Sequence, residues 1–335
     1  MKIYKPQYYD QFHCIASACP DSCCKEWAVQ VDQASAAYYR SLPGPLGDRL
    51  REVLRDEDGE TVMTITDGRC PMWRTDGLCR IQAELGEQAL CNTCREFPRL
   101  THDYGDFIEY GLELSCPEAA RLILNGQYSS GIAVASCNDS VSDPEYDEEA
   151  MAVLKRTRET VLSILSDTSR PMGETLALAL LYGYQAQSEL DGAQAQPFDP
   201  DTALEAVREL AKASDYREIP SFFLTLELLT PEWRTLLEAP SPTPWDPRTG
   251  ALARYLAERY WLQAVSDYDL YSRVKFMVIA CLLVKLLGGD FLRTAQLFSK
   301  EFENDADNVD AILDAAYTHS AFTDDKLLGL LLNGV

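Results

Sequence analysis

The sequence predicts a mainly α protein: a small, loop-rich cysteine-cluster domain with a few short strands, packed on an all-helical domain. Three observations carry that expectation. Eight of the eleven cysteines fall between Cys14 and Cys94, a ninth is Cys116, and only Cys137 and Cys281 lie beyond. From about residue 147 onward, apolar residues recur at helical spacing. Between these regions runs a stretch rich in Ser, Gly and Asp, the composition of a linker. The expected units are therefore a metal or iron–sulfur domain at 1–126, a linker or long loop at 127–146 and helices at 147–335.

Each element has its own signal. AAYYRSL reads as a helix stopped by the PGP at Pro43–Pro45. Leu46, Leu50, Val53 and Leu54 then form one helical face that DEDG ends. TVMTIT, Thr61–Thr66, is rich in β-branched residues and reads as a strand, as does FIEYGLEL at Phe107–Leu114. IQAELGEQAL reads as helical and leads into Cys91. Ser115 and Glu118 bracket CP before the apolar AARLILN, a capping-box pattern that starts a helix at Cys116. Further helices are expected at Glu148–Leu165, Thr175–Gln187, Thr202–Ala213, Phe222–Leu229, Leu252–Ala264, Ser272–Leu287, Phe291–Phe302 and Ala311–Tyr317. No fixed-period repeat is present.

Composition narrows the function. Of 335 residues, 46% are hydrophobic and 25% charged, ordinary for a chain with a packed core. The net charge of −23 repels nucleic-acid phosphates and anionic membrane surfaces. It favours cationic partners, and lysine-bearing proteins are the natural class. The N-terminus lacks an apolar signal region, and the longest apolar run, FMVIACLLV, is far short of the ~20 residues of a membrane span. A cytoplasmic, reducing setting is expected, where clustered thiols bind metal or do chemistry rather than pair.

The thiols read C14-x4-C19-x3-C23-C24, C70-x8-C79, C91-x2-C94 and C116. Only Cys91 and Cys94 have the spacing that lets two sulfurs share one metal within a turn, whereas a zinc ribbon shows two such pairs. Thiolates without supporting histidines select zinc or iron–sulfur clusters. Side chains of adjacent residues usually diverge, so Cys23 and Cys24 are expected to suit a larger cluster or two sites better than one ion. Cys116, at an expected helix N-terminus, should have a lowered pKa. Cys137 and Cys281 stand apart as a loop residue and a core residue.

The segments YKPQYYDQFHCIASACPDSCCKEWAVQVD, GRCPMW, GLCRIQAELGEQALCNTCREFPR and LSCPEAARL resemble the flagellin lysine N-methylase family. Cys70 to Pro98 also resembles the broader zinc- or iron-chelating cysteine-cluster domains. The resemblance is specific over residues 1–125 and diffuse beyond. It implies a protein-lysine N-methyltransferase that uses S-adenosylmethionine, carries a [4Fe–4S] cluster and acts on flagellin. On that basis Cys14, Cys19, Cys23, Cys24, Cys70, Cys79, Cys91 and Cys94, with Cys116 beside them, are the candidate ligands. They outnumber the four a single cubane needs. Two signatures of other S-adenosylmethionine enzymes are missing: the C-x3-C-x2-C run breaks at Cys24, and no Gly-rich turn joins a strand to a helix. Arg95, Glu96 and Arg99 follow the C-x2-C pair and are candidates to contact the donor's carboxylate. Among 17 tyrosines and 53 acidic residues, no general base is singled out. A zinc-stapled interaction module and an iron–sulfur electron carrier are the alternatives.

Overall fold

The computed structural model describes residues 2–25, 28–57, 59–126, 135–136 and 146–334. The N-terminal part runs β1 (Lys2–Tyr4), β2 (Val29–Val31), α1 (Gln33–Ser41), α2 (Gly44–Val53), β3 (Leu54–Glu57), β4 (Glu60–Met63), α3 (Arg80–Leu85), α4 (Asn92–Glu96), β5 (Arg99–Asp103), β6 (Phe107–Leu112) and α5 (Pro117–Asn125). After β7 (Ala135–Ser136) come α6 (Glu148–Leu165), α7 (Met172–Leu190), α8 (Pro200–Arg208), α9 (Glu218–Phe223), α10 (Pro231–Glu238), α11 (Thr249–Tyr260), α12 (Leu270–Leu287), α13 (Phe291–Phe298), α14 (Ala306–Thr318) and α15 (Asp324–Leu332). The mainly α expectation holds. The expected linker lies almost wholly outside the described residues.

Two sheets organise the N-terminal part. One has the order β5-β6-β1-β7, with β1 parallel to β6 and Ile3 opposite Ile108. The other is antiparallel, β2-β4-β3. The β1–β6 pairing lays residues 5–14 alongside the segment that enters α5. Tyr9 stacks on Tyr110 of β6 with centroids 5.4 Å apart, and Phe12 is buried.

The chain has two apolar cores. The smaller joins Val29, Val31, Tyr39, Leu50, Leu54, Met63, Met72, Ile81 and Leu90 with Cys70 and Cys91. The larger surrounds α12, whose residues are all buried, and it also takes in Phe12, Phe107, Leu112, Leu114 and most of α5. Packing thus divides the chain differently from composition. The sheet edge and α5 share the core of the helical body.

Several expectations need correction. Leu54 does not extend the helix; it begins β3 and pairs with Met63, burying itself in the small core. The helix expected over Phe222–Leu229 ends at Phe223, because the following backbone is held by other elements. The Leu229 N–H donates to the Glu301 carboxylate at 2.7 Å and that of Glu227 to Asn308 Oδ1 at 3.3 Å. The capping box is absent. Cys116 is the N-cap of α5, Ser115 Oγ donates to Glu113 at 3.1 Å, and Glu118 pairs with Arg121. Lastly, the helix expected over Phe291–Phe302 relaxes after Phe298 into a π turn, Ser299–Glu303, the kind of local unwinding that re-aims side chains.

Candidate functional site

Four separate stretches, Cys14–Cys24, Cys70–Cys79, Cys91–Cys94 and Cys116, bring their thiols together. Cys14 follows buried Phe12, and its sulfur accepts the Ala16 N–H at 3.4 Å. Ala16 takes a positive φ of 49°, turning the chain tightly toward Cys19. The Cys24 carbonyl accepts the Cys70 N–H at 2.7 Å, which ties the first thiol loop to the second. Cys79, Cys91 and Cys116 are each the N-cap of the helix that follows, α3, α4 and α5. Their sulfurs lie against backbone N–H groups, of Ile81 and Gln82, of Cys94, and of Glu118 and Ala119 respectively. Hydrogen bonds of this kind favour a thiolate and tune cluster sulfurs.

The sulfurs form two neighbouring groups that meet at the Cys23–Cys24 peptide. Cys24 shares hydrogen bonds with Cys23 and Cys70, and Cys91 with Cys94, while Cys79 acts electrostatically on Cys70 and Cys91 on Cys79. On the other side, Cys14 and Cys19 act on Cys116, and Cys116 and Cys14 on Cys23. Cys94 feels both Cys23 and Cys24. The hydrogen bonds they donate to Cys24 and Cys91, with burial, raise Cys70 and Cys94; burial raises Cys19 and Cys79; and Cys24 and Cys91 are lowered as acceptors of their neighbours' protons. Cys116 corrects the expectation from its helix position: burial outweighs the N–H groups and pushes its thiol up to about 11. Among the described residues, no three Cys, His, Asp or Glu side chains form a single-ion site. Cys281 is fully buried in α12, as a core residue should be, and Cys137 lies outside the described residues.

A buried charge stakes the first thiol loop to the helical body. Asp21, 8% exposed, meets Lys300 at 3.2 Å and Arg293 at 3.0 Å, with Lys25 at 3.6 Å. Burial works to raise its pKa, but Lys300 and the hydrogen bonds from Arg293 and the Ser22 N–H prevail, leaving it at about 2. Beside it, Gln296 donates to the Ser115 carbonyl at 2.6 Å. The π turn brings Lys300 and Glu301 inside together. The same turn therefore docks the thiol loop and holds the segment before α10.

Sequence reasoning missed a cavity of about 450 Å³ between the β5-β6-β1 sheet, α5, α6 and α11. Tyr4, Tyr8, Phe107 and Tyr110 give it aromatic walls, and Leu100, Leu122 and Leu162 give it apolar ones. Arg158 and Glu109 form a two-pronged ion pair in it, at 2.6 and 2.9 Å. Arg259, which donates to Tyr255 at 2.7 Å and pairs with buried Glu303 at 3.4 Å, closes the inner end. Glu258 sits deep but keeps surface toward the cavity. Burial, opposed by Arg254 and Arg158, raises its carboxyl to about 7. The C-terminal half of α5, from Arg121 on, lines this space while Cys116 caps the N-terminal end, about 7–8 Å from Arg121 along the helix axis at 1.5 Å per residue.

The chain is similar to curated bacterial proteins. It is 33% identical over 133 residues to the flagellar biosynthetic protein FliU of Salmonella muenchen, a match spanning 37% of this chain and 77% of FliU. It is equally similar to proteins named lysine-N-methylase from Salmonella typhimurium and Salmonella choleraesuis, spanning 32% of each. The chain belongs to the FliU and lysine-N-methylase family. It matches about a third of the length of the two lysine-N-methylases. No family model and no solved structure matches it. No helix among the described residues is long and apolar enough to cross a membrane.

The three residues offered as contacts for a donor carboxylate are exposed in this family member. Arg95 turns back to its own helix, donating to Asn92 and to the Leu90 carbonyl. Arg99 lies over the Phe12 ring at 5.3 Å. None of the three lines the cavity. Glu258 and His102 do, and they were invisible in the sequence because only folding removes them from water.

Proposed function

We propose that the chain is a protein-lysine N-methyltransferase that acts on flagellin, with S-adenosylmethionine as donor and a cysteine-held [4Fe–4S] cluster. The observation that carries this reading is the 33% identity to proteins named lysine-N-methylase. The thiol geometry supports the cluster. The donors are soft sulfurs drawn from four stretches, and no histidine is among them, which suits iron–sulfur chemistry. So many crowded thiols cannot ionise together unless a cation offsets their repulsion, and an iron centre supplies one. Cys24, Cys70, Cys79, Cys91 and Cys94 are one candidate ligand group, and Cys14, Cys19, Cys23 and Cys116 the other. A cluster with an open iron would anchor the amino and carboxylate groups of the donor.

The protein's own task is then to hold an amine near that donor, strip its proton and exclude water. The acidic surface raises the local concentration of a lysine-bearing partner. The test is anaerobic incubation of the purified chain with flagellin and S-adenosylmethionine, followed by mass spectrometry of flagellin peptides. Methyl-sized increments on lysines are expected, together with a change in the visible absorption of the cluster when the donor is added. Unmodified lysines from protein with its cluster intact would overturn the reading.

A further inference from the structure

We propose that the cavity between the sheet and helices α5, α6 and α11 receives a primary alkylamine, the side chain of a substrate lysine, and that Glu258 removes its proton. The inference rests on the methyltransferase reading for its biological sense, but its argument comes from the cavity. Leu100, Leu122 and Leu162 offer an apolar wall for a methylene stem. The aromatic wall already holds an alkylammonium of this chain, since Lys155 Nζ lies 3.7 Å from the centre of the Phe107 ring. The volume of about 450 Å³ exceeds that of one lysine side chain.

Several other charges that line the cavity are already matched, while Lys155 lies over Phe107 and Glu159 is exposed at the rim. Glu109 is held by Arg158, Arg121 by Glu118, Lys5 by Asp10 and Arg259 by Glu303. Glu258 differs from the paired groups and from exposed Glu159: it is withdrawn from solvent, and among the described residues no hydrogen bond or ion pair within 4 Å engages its carboxyl. The groups that face it are Arg254 on its own helix, Arg158 and Lys155 on α6, Glu109 on β6 and His102 on β5, whose buried Nε2 also has no hydrogen-bond partner. Burial keeps His102 neutral by lowering its pKa, so it adds no positive charge against an incoming ammonium. A carboxyl that titrates near neutrality suits a base acting at working pH. In the step, the ammonium proton passes to a Glu258 oxygen. The freed nitrogen lone pair forms the N–C bond to the methyl group as the C–S bond breaks, its electron pair remaining on sulfur as a neutral thioether.

The test uses n-butylamine and its neutral isostere n-butanol as probes on the full chain, followed by calorimetry across pH. The wild type should bind the amine at least about tenfold more tightly than the alcohol, the scale of one charge-assisted hydrogen bond. That preference should rise through about pH 7 as Glu258 ionises. In Glu258→Gln both the preference and its pH dependence should vanish. Should that variant not fold, the wild-type profile decides alone: an inflection near neutrality supports the proposal and a flat profile overturns it. Equal amine affinity in the two proteins also overturns it. Methylation of flagellin by Glu258→Gln with an unchanged rate and pH profile would sink this inference and leave the function standing. Glu258-dependent amine binding without any methylation would do the reverse.

Discussion

The thiol region and the helical body are stabilised in different ways. Around α12 the body buries Phe276, Phe298, Phe302, Trp233 and Trp261 almost completely, so its helices hold each other through apolar packing. The thiol region has a core of a dozen residues, two of them cysteines, beneath long stretches without helix or strand. A core of that size falls in the range where small folds need added links. The gathered sulfurs are placed to supply them. The comparison sets a body held by apolar packing against a thiol region whose small core leaves room for added links, which on the proposed function are bonds from its sulfurs to a cluster.

The widest separation between the two should come from stripping metal. Removal of iron from the purified chain under reducing conditions should open residues 14–98 to limited proteolysis and leave fragments containing α6–α15 intact. Mass spectrometry of the cleavage products would read this, and equal resistance of both regions would break the comparison. Next in size is the joint between them. Asp21→Ala removes the carboxylate that buried Lys300 shares with the half-exposed Arg293, which keeps Glu232, and should cost about 3 kcal/mol in denaturant unfolding.

A change confined to one side should stay there. Gly183 lets α7 approach α12, and a Cβ would sit 2.5 Å from Val274 Cγ1, so Gly183→Ala should destabilise the body by about 1–3 kcal/mol without changing iron content. Tyr39→Phe removes the 2.6 Å hydrogen bond to the Ala89 carbonyl beneath Cys91 and should cost about 1–2 kcal/mol in the thiol region alone. The smallest effect is on acidification. The Asp21 carboxyl is held at about 2, below its unfolded value near 3.8. Its contribution is therefore complete above pH 4 and lost as pH falls toward 2. Acid unfolding of Asp21→Asn should lack that component.

How much of this was readable in the sequence follows the same division. Glu148–Leu165 was legible to the residue, because its apolar face and the Asp147 cap are local signals. The buried α12 was legible from FMVIACLLV. The three-residue β1 was not, since its partner lies a hundred residues away. Nor was the end of α9, which is fixed by Glu301 and Asn308 from distant turns. In the site, the clustering of thiols was plain, but their split into two groups depends on which loops touch. Cys116 misled because a helix N-terminus can be read from sequence and burial cannot. Asp21, Lys300 and Arg293 look like ordinary surface charges until the π turn carries Lys300 inside to meet Asp21. Glu258 was one of 53 acidic residues until folding set it apart.

The central claim is that these converging sulfurs grip an inorganic centre. Iron and acid-labile sulfide analysis of anaerobically purified protein, paired with X-ray absorption at the iron edge, tests it most directly. The account predicts iron and sulfide in equal amounts, with sulfur as the neighbour of every iron. Protein free of iron, with the cysteines from Cys14 to Cys94 all open to alkylation in the folded state, would contradict it.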